Sequence, residues 1–121
     1  MKFNKLTPEE EKIIIYKNTE HPFTGKYNDY FKQGVYVCKR CDNPLFTSDA
    51  KFKSGCGWPS FDHEIKGMVI RILDKSRLNT EIICARCKGH LGHVFEGEGY
   101  TKKNLRHCVN SLSIKFILDE G

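Results

Sequence analysis

The chain has 121 residues, room for one domain around a single core. Hydrophobic residues make up 39% and charged residues 29%, a globular composition, and no apolar run approaches the roughly 18 residues that a membrane-spanning helix needs. The formal charge of +5 is spread over lysines interleaved with acids (Glu9 to Glu11, Asp119-Glu120), which describes a solvated surface, so neither nucleic acid nor membrane is expected as a partner.

The segment Met1 to Glu11 is charged where a secretory signal would be apolar, and a cytoplasmic protein is expected. Thr7-Pro8-Glu9-Glu10 has the form of a helix start: Thr7 as N-cap, Pro8 in the first turn, Glu10 closing a capping box. That helix is predicted to run to about Asn18, and His21-Pro22 and Gly25 then break it. Strands are predicted at Val35 to Cys38, Met68 to Leu73 and Thr80 to Cys84, with a short helix hinted at near Ser48 to Phe52. From Ser111 to Leu118, Leu112, Ile114, Phe116 and Leu118 alternate with Ser111, Ser113 and Lys115, predicting a strand with one buried and one wet face. The expected architecture is mainly β: a small antiparallel domain with an N-terminal helix packed on it.

The six cysteines divide into four and two. Cys38-Lys39-Arg40-Cys41 and Cys84-Ala85-Arg86-Cys87 are C-x-x-C units, each following a predicted strand, and two such turns supply the closed tetrahedral shell of a structural zinc. The 42 residues between Cys41 and Cys84 suggest that one metal clips two separated parts of the domain together. A single C-x-x-C can instead be a redox dithiol, but that motif belongs with a βαβ pattern, which is absent here. Cys56 lies between Gly55 and Gly57, where the backbone is free and the sulfur uncrowded, as a resolving thiol requires. Cys108 follows Arg106-His107 just before the last predicted strand, and Arg106 offers positive charge to favour a thiolate. A lone cysteine is otherwise a small buried hydrophobe, and spacing alone does not decide between the two.

Three blocks resemble the signatures of the methionine-R-sulfoxide reductase B family: Ser54 to Phe61 (SGCGWPSF), Gly89 to Phe95 (GHLGHVF) and Arg106 to Ser111 (RHCVNS). Leu6-Thr7-Pro8, Pro22 to Gly25 and both C-x-x-C units also stand where that family has them, so the similarity covers about Leu6 to Phe116. The resemblance implies one reductase domain over residues 1–121, built of two antiparallel sheets and clipped by a structural zinc on Cys38, Cys41, Cys84 and Cys87. It also implies a peptide-methionine (R)-S-oxide reductase acting mainly on protein-bound substrate. Cys108 would be the nucleophile that becomes a sulfenic acid. Cys56 would resolve it as a disulfide, which thioredoxin recycles.

A sulfoxide accepts a thiolate only once its oxygen is protonated, so the site also needs an acid that works near neutral pH. His93, supported by His90, is the candidate. Asn110 is expected to hydrogen-bond substrate or a histidine, and Trp58 and Arg106 are the candidates for substrate binding. Trp58 is either a wall for the substrate's methyl group or a core residue. Three positions depart from the family pattern: His107 replaces a tyrosine or phenylalanine, Asn79 replaces a frequent arginine, and Glu96-Gly97 replaces an acidic pair in a lengthened loop. These are expected to alter local hydrogen bonding without changing the chemistry. A monomer is expected. Two other functions would account for fewer of these residues: a zinc-ribbon-like module binding nucleic acid, and a thiol redox sensor without turnover.

Overall fold

A computed structural model describes residues 2–76 and 79–119, so Glu120 and the ends of the expected 1–121 domain lie outside the described residues. Helix α1 (Pro8–Ile14) opens with the predicted capping box: Glu10 N donates to Thr7 Oγ1 at 3.2 Å, and Thr7 N donates to Glu10 Oε1 at 2.8 Å. It ends at Ile14, short of the expected Asn18, because Lys17 adopts φ 62° and turns the chain off the helix axis. Ile13 and Ile14 are its buried face.

Nine strands follow among the described residues: β1 (Gly34–Cys38), β2 (Pro44–Thr47), β3 (Lys51–Phe52), β4 (Ser60–Phe61), β5 (Val69–Asp74), β6 (Asn79–Cys84), β7 (His90–Glu96), β8 (Leu105–Val109) and β9 (Ile114–Leu118). They form two antiparallel sheets, one in the order β2-β1-β9 and the other in the order β3-β4-β8-β7-β6-β5. The short helix hinted at near Ser48 is a 3-10 turn, Ser48–Ala50, that leads directly into β3. Tyr36 from the small sheet packs edge-on against Phe61 from the large one, and Phe61 stacks on Phe46 at 4.3 Å. All three rings are fully buried, so the core lies between the sheets.

The last predicted strand is corrected at both ends. Ser111–Ser113 is a 3-10 turn, and its serines are buried, because Ser113 Oγ donates to His90 O at 2.9 Å and Ser111 Oγ accepts from Tyr27 N at 3.2 Å. At the other end Ile117 and Leu118 are exposed, since β9 is an edge strand. No described helix is long and apolar enough to cross a membrane.

Candidate active site

The two C-x-x-C units end neighbouring hairpins, and the fold brings all four sulfurs of Cys38, Cys41, Cys84 and Cys87 within 4.8 Å of one another. Cys38 and Cys87 are 3.6 Å apart, as are Cys41 and Cys84. A tetrahedral ion with arms of about 2.3 Å would hold its sulfurs roughly 3.8 Å apart, so the cluster fits a metal ion without rearrangement. Asn43 Nδ2 at 3.5 Å from Cys84 Sγ and Gly89 N at 3.4 Å from Cys87 Sγ are donors suited to thiolates. Hydrogen bonds from its neighbours, Cys38 first, hold the Cys84 thiol far below the usual range, while the same contact pushes Cys38 up, so the clustered sulfurs titrate together. All four are buried, which fits stability and not catalysis.

Cys108 precedes the last strand, as expected, but is itself a strand residue, the fourth of β8, paired on one side with Ser60 of β4 and on the other with His93 of β7. His93 in turn pairs with Glu81 of β6. Directly opposed residues of antiparallel strands share a face, so Ser60, Cys108, His93 and Glu81 form one row across the large sheet. Gly92 makes the β7–β8 approach possible: a Cβ there would stand 1.9 Å from the Cys108 carbonyl oxygen.

His90 and His93 are three positions apart, which in a regular strand would put them on opposite faces. Ile82 pairs with Gly92 but Ile83 pairs with His90, so Leu91 is an extra residue, a β-bulge. The bulge restores parity, and the two rings meet at 5.7 Å on the face of Cys108. His90 is buried and its Nδ1 is 2.7 Å from Glu81 Oε2. Glu81 was not singled out in the sequence, although alternation along the β6 run puts it on the same face as Ile83 and the cluster-bound end of the strand.

Cys56 is brought to Cys108 by the turn between β3 and β4, with Gly55 at φ 78° and Gly57 at φ 98°. The two thiols are free and lie close enough for each to set the other's acidity. Cys56 Sγ also accepts from Ser54 Oγ at 3.0 Å and is 3.5 Å from Ser60 Oγ. The Cys108 thiol, then these hydroxyls, pull the Cys56 pKa down to about 4, while the same contact and burial push Cys108 up. The two thiols therefore share one readily formed negative charge, which the Ser54 and Ser60 hydroxyls favour on the Cys56 side and Arg106 on the Cys108 side. Arg106 does favour a Cys108 anion, but its guanidinium is committed to Glu98 (2.8 and 3.2 Å) and lies over Phe95 at 4.5 Å.

A cavity of about 140 Å³ opens over Cys108, walled by Trp58, His93, Phe95, Asn110, Gly92 and Thr19. Arg106 does not line it. Trp58 is thus a pocket residue; its Nε1 donates to Glu20 O at 3.0 Å, which fixes the ring plane. Asn110 is buried, with Nδ2 donating to Leu91 O at 3.0 Å and Oδ1 accepting from Glu20 N at 3.0 Å. Its amide braces β7 and the segment after α1, rather than bonding a histidine. Glu20, also not singled out in the sequence, therefore ties both Trp58 and Asn110 to the site.

The departures have local partners. His107 is fully buried behind Cys108, its Nδ1 3.0 Å from Phe61 O and its Nε2 3.0 Å from Glu64 Oε1, which also binds Arg71. Asn79 pairs with Asp74 at the turn end of the β5–β6 hairpin. In the lengthened loop, Glu98 supplies the acid that Gly97 lacks.

The SelR domain profile matches residues 6–118. Peptide methionine sulfoxide reductase B5 of Oryza sativa subsp. japonica is 52% identical over 112 residues, covering 92% of this chain and 82% of the relative. The chloroplastic B2 protein of Arabidopsis thaliana is 51% identical over 112 residues, and the chloroplastic B3 protein of Oryza sativa subsp. japonica 51% over 113. The chain spans about half the length of those two, 55% and 49%.

Proposed function

Since the chain belongs to the SelR domain family, we propose that it reduces methionine-R-sulfoxide, mainly in proteins, to methionine. The observation that carries this is the row of Cys108 and His93 beneath a pocket walled by Trp58, with the Cys56 thiol close to Cys108. The substrate's methyl sulfide end fits against the indole, where sulfur–aromatic contact contributes about 0.3–1.5 kcal/mol. The Cys108 proton passes to the neighbouring Cys56 thiolate, and Cys108 sulfur attacks the sulfoxide sulfur. Protonated His93 gives its proton to the sulfoxide oxygen, the oxygen moves to Cys108, and methionine leaves. Cys108 is then a sulfenic acid and Cys56 a thiol. Cys56 attacks it, water departs and a disulfide forms.

A dithiol must then reopen that disulfide, and thioredoxin supplies the chemistry required. Zinc on Cys38, Cys41, Cys84 and Cys87 would supply the structural clip, since a closed four-sulfur shell suits it. A reducing compartment such as the cytoplasm suits free thiols, while two relatives are chloroplastic by name. The working unit in this reading is a monomeric single domain.

The test is an assay on separated sulfoxide epimers with a dithiol reductant. Wild type should reduce the R form, Cys108→Ser should reduce neither, and Cys56→Ser should stop at about one turnover per chain with thioredoxin. Turnover by Cys108→Ser, or none by wild type on either epimer, would sink the proposal.

A further inference from the structure

Glu81 was assigned no role above, yet it stands in the row of Ser60, Cys108 and His93. Its Oε2 lies 2.7 Å from His90 Nδ1, and its Oε1 lies 3.4 Å from Lys17 Nζ. A carboxylate only accepts hydrogen bonds, so His90 Nδ1 must carry a proton. That leaves Nε2 of a neutral ring bare. Nε2 is buried and has no hydrogen-bond partner among the described residues. Buried polar atoms are nearly always satisfied, and one left open on a ring packed against His93 is suited to a proton that comes and goes.

We propose that Glu81 is a positioning residue for the reduction: it fixes the His90 ring as the Nδ1–H form, so that Nε2, on the face shared with His93 and Cys108, takes up and releases a proton during turnover. This rests on the proposed reductase reading and adds a residue to it. When Nε2 gains a proton the ring becomes an imidazolium, and the Glu81 carboxylate opposite compensates the charge. His93, 5.7 Å away between ring centres, is the group that spends a proton on the sulfoxide oxygen, and His90 is the reserve beside it. The ionisable groups facing His90 are Glu81, His93 and Lys17, with Asp74 and Lys75 further along the same cleft. The bulge at Leu91 is what gives this ring its place, since without it His90 would point to the opposite face.

The ring form is read by ¹⁵N NMR on the full, metal-bearing chain, and catalysis by kcat and KM on an R-sulfoxide peptide. Wild type should show His90 with Nδ1 protonated and Nε2 bare. Glu81→Leu should shift the ring toward the Nε2–H form and lower kcat by about tenfold or more with KM within about twofold. Glu81→Gln, which keeps an acceptor but no charge, should retain the ring form and lose part of kcat; it carries the test should Glu81→Leu not fold. An unchanged ring form in Glu81→Leu, a wild-type kcat in Glu81→Gln, or a loss confined to KM would overturn the proposal. Inactive wild type would instead sink the reductase reading, and the ring measurement stands independently of that.

Discussion

Cys108 and His93 are opposed partners across the β7–β8 ladder, so the proposed nucleophile and the proposed acid share one face by strand register alone. Neither side chain depends on a loop for its position. Both strands are interior to the six-stranded sheet, flanked by β4 and β6, so their separation is held by hydrogen bonds on both sides. A site on interior strands keeps its geometry better than one on loops. Cys56 instead sits on a glycine-bounded turn, and in the proposed cycle it is the thiol that closes the disulfide.

The dithiol should titrate as a pair. With Cys56 held to a pKa of about 4, one negative charge is present well below the ordinary thiol range. A depressed pKa stabilises the fold at high pH, and that contribution is lost as pH falls through about 4. Iodoacetamide should therefore modify Cys56 nearly as fast at pH 5.5 as at pH 7, about the rate of a full thiolate. In Cys108→Ala, which removes the largest cause, the rate at the lower pH should drop steeply. A wild-type midpoint near the ordinary thiol value would rule the shared charge out.

Metal loss should unfold the domain. The four-sulfur cluster joins the end of β1 to the end of β6, so it links the small sheet to the large one. Cys84→Ser should cost on the order of 5 kcal/mol, most of a small domain's stability. Elemental analysis of wild type should find one metal per chain, and melting should fall sharply with a strong chelator. Active protein free of metal would contradict this.

Gly92→Ala tests whether strand approach sets the site. The added Cβ would meet backbone, the Cys108 carbonyl at 1.9 Å, and backbone cannot swing aside as a side chain can. The variant should be destabilised by about 3 kcal/mol in denaturant unfolding and lose sulfoxide reduction. A folded variant with wild-type turnover would show that the ladder tolerates the spread.

The chemistry-bearing residue types were legible in the chain. Paired cysteines at C-x-x-C spacing announce a metal shell, the capping box of Thr7 and Glu10 announces a helix, and the residue blocks around Cys56, His90 and Cys108 announce the family. These signals are local: each depends on neighbours a few positions away, where geometry follows from spacing. The short strands β2 and β4 carried no such pattern, because four and two residues are too few for an alternation to show and the buried ones are adjacent in the chain. Which face His90 takes was decided by one bulge, and which residue opposes Cys108 by the pairing of strands distant in sequence. The acidity of the two thiols was likewise a tertiary matter. Arg106 is a sequence neighbour of Cys108, but Glu98 engages it, and the Cys56 thiol is made more acidic by Cys108 and two serine hydroxyls. Sequence spacing fixes what a residue can do; through-space partners, contributed by strands far apart in the chain, determine which of those possibilities is realised.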